Sequence, residues 1–303
     1  MPVGLLRALE ERYGLEGYEA SERLAGGYAN DIFRLEGPAG PLVLRLQHPP
    51  LQPERLRWEH DVVRRLAEQL PEVPAPLPAR DGTTFFRHER FAVWLLPFVD
   101  GAPGRDGGVR ERGEAAALLG RLHRFGGELD VSPWRGQKQL ADLAWPETAP
   151  GYSGPLAGRE EEAAAARAWA VAFVAETAAA RKPASGLVHG DYFAGNVLFR
   201  DGHAVAVLDW EELAVDWTAY DLASGSWEFC ADAAGELDLE AMEEFVAAYR
   251  DAGGTVPVEA DDLLVPLIRV KRIVELLRMP TDRHVDLDYH ARNLDAFWSL
   301  GRP

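Results

Sequence analysis

"GLVHGDYFAGNVLF", residues Gly186 to Phe199, decides how this chain is read, because it sets a histidine, an aspartate and an asparagine within eight positions between two apolar stretches. Asp191 and Asn196 stand five apart, in a loop that runs into the short apolar segment NVLF. A carboxylate at the first place can orient and deprotonate a hydroxyl, and an amide oxygen at the second can help hold a divalent cation. The chain continues through the turn RDGH into AVAVLD, which ends at Asp209, eighteen residues after Asp191. A carboxylate at a strand end is well placed to ligate Mg²⁺, a hard cation that takes oxygen ligands and often shares them with phosphates. Singly, each of these residues reads as well as a cap or turn former.

The remainder of the chain sets the bounds. Its 303 residues suit two domains, or one domain with two lobes. With 47% hydrophobic and 27% charged residues, the composition is that of a globular protein and not of a disordered tail. No run approaches the roughly 18 apolar residues that span a bilayer. The opening MPVGLLRALEERYG carries acids inside its apolar pattern, so it reads as an amphipathic helix and not as a signal peptide. The single cysteine, Cys230, reads as a small buried hydrophobe in a reducing compartment. The expectation is a soluble, cytoplasmic protein with no membrane partner. A net charge of −17 disfavours nucleic acid and anionic lipid as partners. There are 29 arginines and only three lysines, Lys138, Lys182 and Lys271. Any basic group needed in the first 137 positions must therefore be arginine or histidine.

Working toward the amino terminus, IFRLE and LVLRLQ flank the turn GPAG as a hairpin, and TTFFRHE and FAVWLLPFV make a further strand pair. Between the two pairs, Pro53 opens a helix on which Leu56, Val63, Leu66 and Leu70 keep helical spacing. DGAPGRDGG, residues 100–108, is the best boundary in the chain. Beyond it, GEAAALLGRLHRF, EEAAAARAWAVAFVAETAAA, DLEAMEEFVAAYRDAG and DDLLVPLIRVKRIVELLRM favour helix by propensity and apolar spacing. The expected class is α+β, with a small β-rich lobe over residues 1–99 and a larger, mainly helical lobe over residues 100–303.

Taken jointly, H-x-D-x4-N, a hairpin and an apolar strand ending in Asp make up the catalytic and metal pattern of kinases. From the glycine turn to Asp221 the chain resembles the aminoglycoside phosphotransferase and choline kinase superfamily, the small-molecule branch of the protein-kinase-like fold. The segment LDWEELAVDWTAYDLASGSWEFC is similar to the homoserine-kinase-like members. The resemblance implies a two-lobed protein-kinase-like fold and an enzyme that uses ATP and Mg²⁺. It makes Asp191 the catalytic base, with Asn196 beside it, and makes Asn196 and Asp209 the metal ligands. His189 would brace the loop, and Asp221 would buttress it from a helix.

The same resemblance puts the nucleotide in the amino-terminal lobe. Gly26 and Gly27 in AGGYAND would let the backbone approach phosphate closely. Val43 and Leu198 would be the roof and floor of the adenine site. In LLPFVDG, the Pro97 carbonyl would accept from the adenine amine and the Val99 amide would donate to the ring. Arg45 stands where the family's usual lysine would be. Its planar fork binds bidentately and cannot lose its proton, so the exchange is not neutral. Glu59 falls three after Leu56 and four before Val63, on the apolar face of its helix, where a carboxylate requires a partner. Arg45 is the partner expected, and Glu54 is the rival acid.

For the acceptor, three classes compete. A protein Ser/Thr kinase needs a peptide-docking segment, yet only WEELAVDWTAY separates Asp209 from Asp221 and no A-P-E motif follows. A non-catalytic nucleotide-binding regulatory module rests mainly on Arg45. For a small-molecule hydroxyl, Trp210, Glu211, Asp216, Trp227 and Glu228 can form an acidic, aromatic site for an aminoglycoside, an amino sugar or a choline-like alcohol. Arg269 and Arg272 can instead clamp the carboxylate of homoserine or another hydroxy amino acid. Both sets read equally as helix surface. No His/Cys cluster has zinc-ligand spacing, and oligomeric state is not written in the sequence.

Overall fold

The computed structural model describes residues 1–24, 30–104, 108–135, 137, 140–142, 158–232, 235–278 and 287–301. Gly26 and Gly27 lie outside the described residues. The chain divides into two compact units. The first comprises Met1–Ala102 with Val205–Glu211, and the second comprises Pro103–Ala204 with Glu212–Pro303. The boundary expected at 99/100 thus meets a first crossing at 102/103. Nothing in the sequence pattern pointed to the return of Val205–Glu211 to the first unit.

The first unit contains α1 (Leu5–Tyr13), β1 (Glu19–Arg23), β2 (Asn30–Glu36), β3 (Leu42–Gln47), α2 (Pro53–Ala67), β4 (Phe86–His88) and β5 (Phe91–Pro97). Its strands form one antiparallel sheet in the order β1-β2-β3-β5-β4. Side chains alternate between the faces of a strand, so β3 splits its residues between two environments. Leu44 and Leu46 join Leu5 and Leu9 of α1, Leu35, Val93 and Leu95 in the main core. Arg45, between those two leucines, faces the other way. Its cross-strand partner is Trp94, which packs with Ala92 and with Leu56 of α2. Pro53 occupies the first turn of α2, where its missing N–H costs nothing, and the helix buries Leu56, Glu59, His60, Val62, Val63 and Leu66. Period two in β3 and period 3.6 in α2 thereby bring Arg45 and Glu59 to the same layer of the unit.

β6 (Ala102–Pro103) leads into the second unit. There follow α3 (Val109–Glu128), α4 (Glu160–Ala180), β7 (Ser185–Val188), β8 (Val197–Arg200), β9 (His203–Val207), whose last three residues belong to the first unit, then β10 (Ala214–Trp217), α5 (Thr218–Cys230), α6 (Leu239–Asp251), α7 (Asp261–Arg278) and α8 (Leu287–Ser299). The turn between β8 and β9 has Asp201 and Gly202 at φ of +54° and +76°, as a tight two-residue turn requires. β7 and β10 pair antiparallel, with Val188 opposite Ala214 and Ser185 opposite Trp217. That ladder sets the start of β7, at Ser185, beside Trp217 and the start of α5, and the end of β7, just before His189, opposite Ala214. α5 is buried on nearly all sides, and α3 passes α6 so closely that a Cβ on Gly120 would meet the Tyr249 carbonyl oxygen at 2.2 Å. No described helix is long and apolar enough to cross a membrane.

Candidate active site

The loop after β7 is held by its backbone. Asp221, in the first turn of α5, accepts from the N–H of His189 at 2.8 Å and from that of Gly190 at 2.9 Å. Gly190 has φ +83°, and a Cβ there would fall 2.3 Å from the Glu212 carbonyl oxygen, so only glycine fits. Behind Asp221 lies His123 of α3, whose Nε2 meets Asp221 Oδ2 at 3.1 Å and whose Nδ1 meets the Tyr249 hydroxyl at 2.7 Å. Burial alone would raise the Asp221 pKa. The hydrogen bond and charge of His123, then His189 and its backbone N–H, outweigh that and hold it below the usual carboxylate range. On the other side, Lys271 of α7 is buried and donates to the Gly190 carbonyl at 3.3 Å. Gly190, the residue preceding Asp191, is therefore held at its N–H by an acid from one helix and at its carbonyl by a cation from another.

Asp191 is positioned within this frame. Its N–H points to His189 Nδ1 at 3.3 Å. Asn196, at the end of a short 3₁₀ turn (Ala194–Asn196), donates Nδ2 to the Asp191 carbonyl oxygen at 3.0 Å and to its carboxylate Oδ2 at 3.3 Å. With Nδ2 so engaged, Oδ1 is the acceptor side of the amide. His189 is fully buried, edge-on to Tyr192, in a bracing position.

The first unit gathers its charges around Arg45, which is 7% exposed. Nη2 donates to Asp209 Oδ1 at 3.2 Å and to Glu211 Oε1 at 2.8 Å, and the guanidinium lies 5.5 Å from the centroid of the Trp94 ring. Asn30 also donates to Glu211, and Arg55 donates to the Glu211 carbonyl at 3.1 Å. Asp209 sits at φ +62°, the left-handed region that aspartate tolerates better than most residues and that recurs at functional sites. Val43 lies mid-strand in β3 opposite Leu96, and Pro97 closes β5 two residues before Val99. Leu198 is a buried residue of β8 in the second unit.

The expected Arg45–Glu59 pair takes a different form. The ion pairs of Arg45 run to Asp209 and Glu211, and Glu59 is not among them. Glu59 is nonetheless buried, and its carboxyl is pushed up to about 8 by burial, which the charges of Arg55 and Arg45 only partly oppose. Glu59 lies on the buried face of α2, as its spacing predicts, while Asp209 and Glu211, distant in sequence, take the cation.

His60, beside Glu59, is pushed down to about 3, first by burial and then by Arg45 and Arg64. Its Nδ1 lies 2.9 Å from the Thr84 hydroxyl. These neighbours act on stability with opposite signs. Below the ordinary value of 6.5 the unfolded chain protonates His60 and the fold does not, so His60 makes stability fall as pH drops from 6.5 toward 3. Above 4.5 the unfolded chain has released the Glu59 proton and the fold retains it, so Glu59 makes stability fall as pH rises from 4.5 to 8. Between 4.5 and 6.5 the two slopes oppose each other, and above 6.5 Glu59 acts alone. The nucleotide-free chain is expected to lose about 1.5–2 kcal/mol between pH 6.5 and 8, and Glu59→Gln to remove that decline. Urea midpoints across this range check it, and parallel curves for the two proteins would refute it.

The residues expected around an acceptor are dispersed. Trp210 and Glu211 belong to the first unit, where Glu211 serves Arg45. Asp216 is a buried structural acid that accepts from the N–H of Leu140 at 2.7 Å and from that of Trp217 at 2.8 Å. Arg269 is not part of a clamp with Arg272. Its guanidinium lies 3.9 Å from the Trp169 ring centroid and 4.3 Å from that of Phe297, and its Nε donates to the Phe297 carbonyl. Trp227, Glu228 and Arg272 do meet: Arg272 donates to Glu228 Oε1 at 2.9 Å and lies 5.0 Å from the Trp227 ring centroid.

Sequence reading missed His123, Lys271, Asn30 and Arg55. A histidine in the apolar run LLGRLHRF and a lysine on the buried side of α7, at helical spacing from Leu264, Leu267 and Ile268, were the available signals for the first two. Asn30 and Arg55 carried none.

An antiparallel sheet carrying a buried cation, and a helical unit whose H-x-D-x4-N loop is pinned by a helix-borne aspartate, define the protein-kinase-like class of phosphotransferases. The chain belongs to the phosphotransferase enzyme family, APH, which matches residues 21–260, and it is a small-molecule kinase. Among curated relatives, homoserine kinase of Caulobacter sp. (strain K31) is 28% identical over 250 residues, covering 82% of this chain and 77% of its own. Homoserine kinase of Paraburkholderia xenovorans (strain LB400) is 29% identical over 238 residues, covering 75% and 70%. Among solved structures, a microcompartment-associated aminopropanol kinase superposes with a TM-score of 0.70 at 16% identity, over 99% of this chain and 95% of that one. A choline/ethanolamine kinase family protein from Mesorhizobium loti does so with a TM-score of 0.63 at 21% identity, over 100% and 96%. A spectinomycin phosphotransferase solved with ADP and spectinomycin gives 0.64 at 16% identity, over 100% and 96%.

Proposed function

We propose that the protein transfers the γ-phosphate of Mg-ATP to the side-chain hydroxyl of a small hydroxy amino acid of the homoserine type. The observation that carries the transfer is the loop around Asp191. Its backbone is fixed by Asp221 and Lys271, and its carboxylate is set beside the Asn196 amide. In this reading Asp191 aligns the acceptor hydroxyl and takes its proton. The new oxygen–phosphorus bond forms as the bond from the γ-phosphorus to the β,γ-bridging oxygen breaks, and ADP leaves with that electron pair. Asn196 Oδ1 and the Asp209 carboxylate are hard oxygen donors that suit Mg²⁺, and they would hold it. Magnesium, when bound, neutralises charge on the phosphates. Arg45 does the same from β3, and most of the catalysis is positioning and electrostatics. Gly26, Gly27, Val43, Pro97, Val99 and Leu198 would enclose the nucleotide.

The choice of acceptor is supported by relatives named homoserine kinase at 25–29% identity. A peptide acceptor is disfavoured because Ala214–Trp217 of the short Asp209–Asp221 link is strand and α5 begins at once after it. The reaction would take place in the cytoplasm, where ATP is at hand. The test is ADP release from Mg-ATP by the full chain, with L-homoserine, aminoglycosides, amino sugars and choline offered separately. L-homoserine should stimulate release by the wild type and not by Asp191→Ala. Stimulation by choline or an aminoglycoside, with none by L-homoserine, would overturn this acceptor.

A further inference from the structure

The second unit holds a cavity of about 250 Å³ lined by Trp227 and Glu228 of α5, Asp232 just beyond it, Arg272 of α7, and Arg292 and Asn293 of α8. Two features make it a built site. Its wall carries both signs of charge, two carboxylates and two guanidiniums, with an amide between them. Arg272 and Asn293 are 2% and 3% exposed. Arg272 spends Nη1 on Asn293 Oδ1 at 3.1 Å and Nη2 on Glu228 Oε1 at 2.9 Å. Its Nε–H and the Asn293 Nδ2 amino group have no acceptor among the described residues. A buried donor left unmade costs about 1–3 kcal/mol, so two on neighbouring residues ask for an incoming acceptor.

From this we infer that the cavity receives the zwitterionic end of an α-amino acid, its carboxylate on the Arg272–Asn293 side and its ammonium on the Glu228–Asp232 side. This rests on the function proposed above and names the subsite that selects its acceptor. The charge pattern discriminates among ligand classes. A polycationic aminoglycoside would meet two guanidiniums, and the volume lies below the roughly 300–1,000 Å³ of pockets for drug-sized ligands. A choline-like alcohol has no carboxylate for the arginine and the amide. A zwitterion matches both halves. The cavity is also tied to the loop that carries Asp191. Arg272 directly follows Lys271, the residue on the Gly190 carbonyl, and Glu228 lies two helical turns along α5 from Asp221, the residue on the Gly190 amide.

Three ligands separate the two charges: L-homoserine, 4-hydroxybutanoate without the ammonium, and 3-aminopropanol without the carboxylate. Asn293→Asp is the discriminating variant. It keeps an oxygen for Arg272 Nη1, so the fold is preserved, but it sets a negative charge where the ligand carboxylate would lie. By calorimetry with the full chain, L-homoserine should bind at least about tenfold more tightly than either analogue, the worth of one charge-assisted hydrogen bond. Asn293→Asp should weaken L-homoserine by a similar factor, leave 3-aminopropanol no weaker, and leave Mg-ATP binding unchanged. Glu228→Gln should weaken L-homoserine and 3-aminopropanol but not 4-hydroxybutanoate. Equal binding of L-homoserine by wild type and Asn293→Asp, or no preference over the analogues, or no binding at all, overturns the subsite. The two readings fail separately. If this binding pattern holds while L-homoserine releases no ADP, the subsite stands and the proposed transfer falls. If ADP release is stimulated but insensitive to Asn293→Asp, the transfer stands and the subsite falls.

Discussion

Asp191→Ala is expected to lower acceptor-dependent phosphorylation by about 10²–10⁴-fold, the range associated with a positioned general base. The fold and the affinity for Mg-ATP should survive. The reason is structural: the loop around Asp191 owes its course to backbone bonds, from His189 and Gly190 to Asp221 and from the Gly190 carbonyl to Lys271. Truncating the Asp191 side chain leaves those bonds in place and removes its 3.3 Å contact with Asn196 Nδ2. The more conservative Asp191→Asn keeps the shape and deletes the charge and the basic lone pair, so it should lose nearly as much. The check is kcat with saturating acceptor, beside nucleotide binding measured by calorimetry. A folded Asp191→Ala chain with wild-type kcat would remove this residue from the mechanism.

The second large effect falls in the first unit. Asp209→Asn should reduce transfer by about 10²–10³-fold, the scale found when one electrostatic stabiliser of a transition state is removed. It should also shift the magnesium requirement to higher concentration, which Asp191→Ala should not do. Asparagine is the informative replacement, because it accepts the left-handed backbone at φ +62° as aspartate does. Strain therefore does not confuse the result. The change also leaves Arg45 its 2.8 Å contact with Glu211, so the buried guanidinium keeps a charged partner. What is lost is one carboxylate charge at a site of oxygen donors. A magnesium titration of initial rates reads it directly. Unchanged magnesium dependence in Asp209→Asn would take the metal away from this residue.

Much of this site was open to reading along the chain because its chemistry is local. His189, Asp191 and Asn196 lie within one loop, and their spacing is the arrangement itself. Alternation in LVLRLQ put Arg45 opposite its leucine neighbours, and helical spacing from Leu56 to Val63 put Glu59 on the buried side of α2. The partners of these groups were another matter. Arg45 was expected to meet Glu59, fourteen residues on; it pairs with Asp209 and Glu211, 164 and 166 residues away. Arg269 and Arg272, three apart on one helix, invited a single role. Packing separated them, one between Trp169 and Phe297, the other beside Trp227, Glu228 and Asn293.

The periods of strand and helix, the turn glycines and the closely spaced loop motif belong to the chain alone, because backbone geometry couples residues only a few positions apart. Those were enough for the α+β class and for setting Asp191 and Asn196 in one loop. The His123–Asp221–Tyr249 network, the lysine on Gly190 and the mixed-charge cavity between α5, α7 and α8 came only with the tertiary structure. Desolvation and Coulomb attraction act on what is near in space, and a buried charge takes whichever partner packing brings within about 4 Å, however far along the chain it lies.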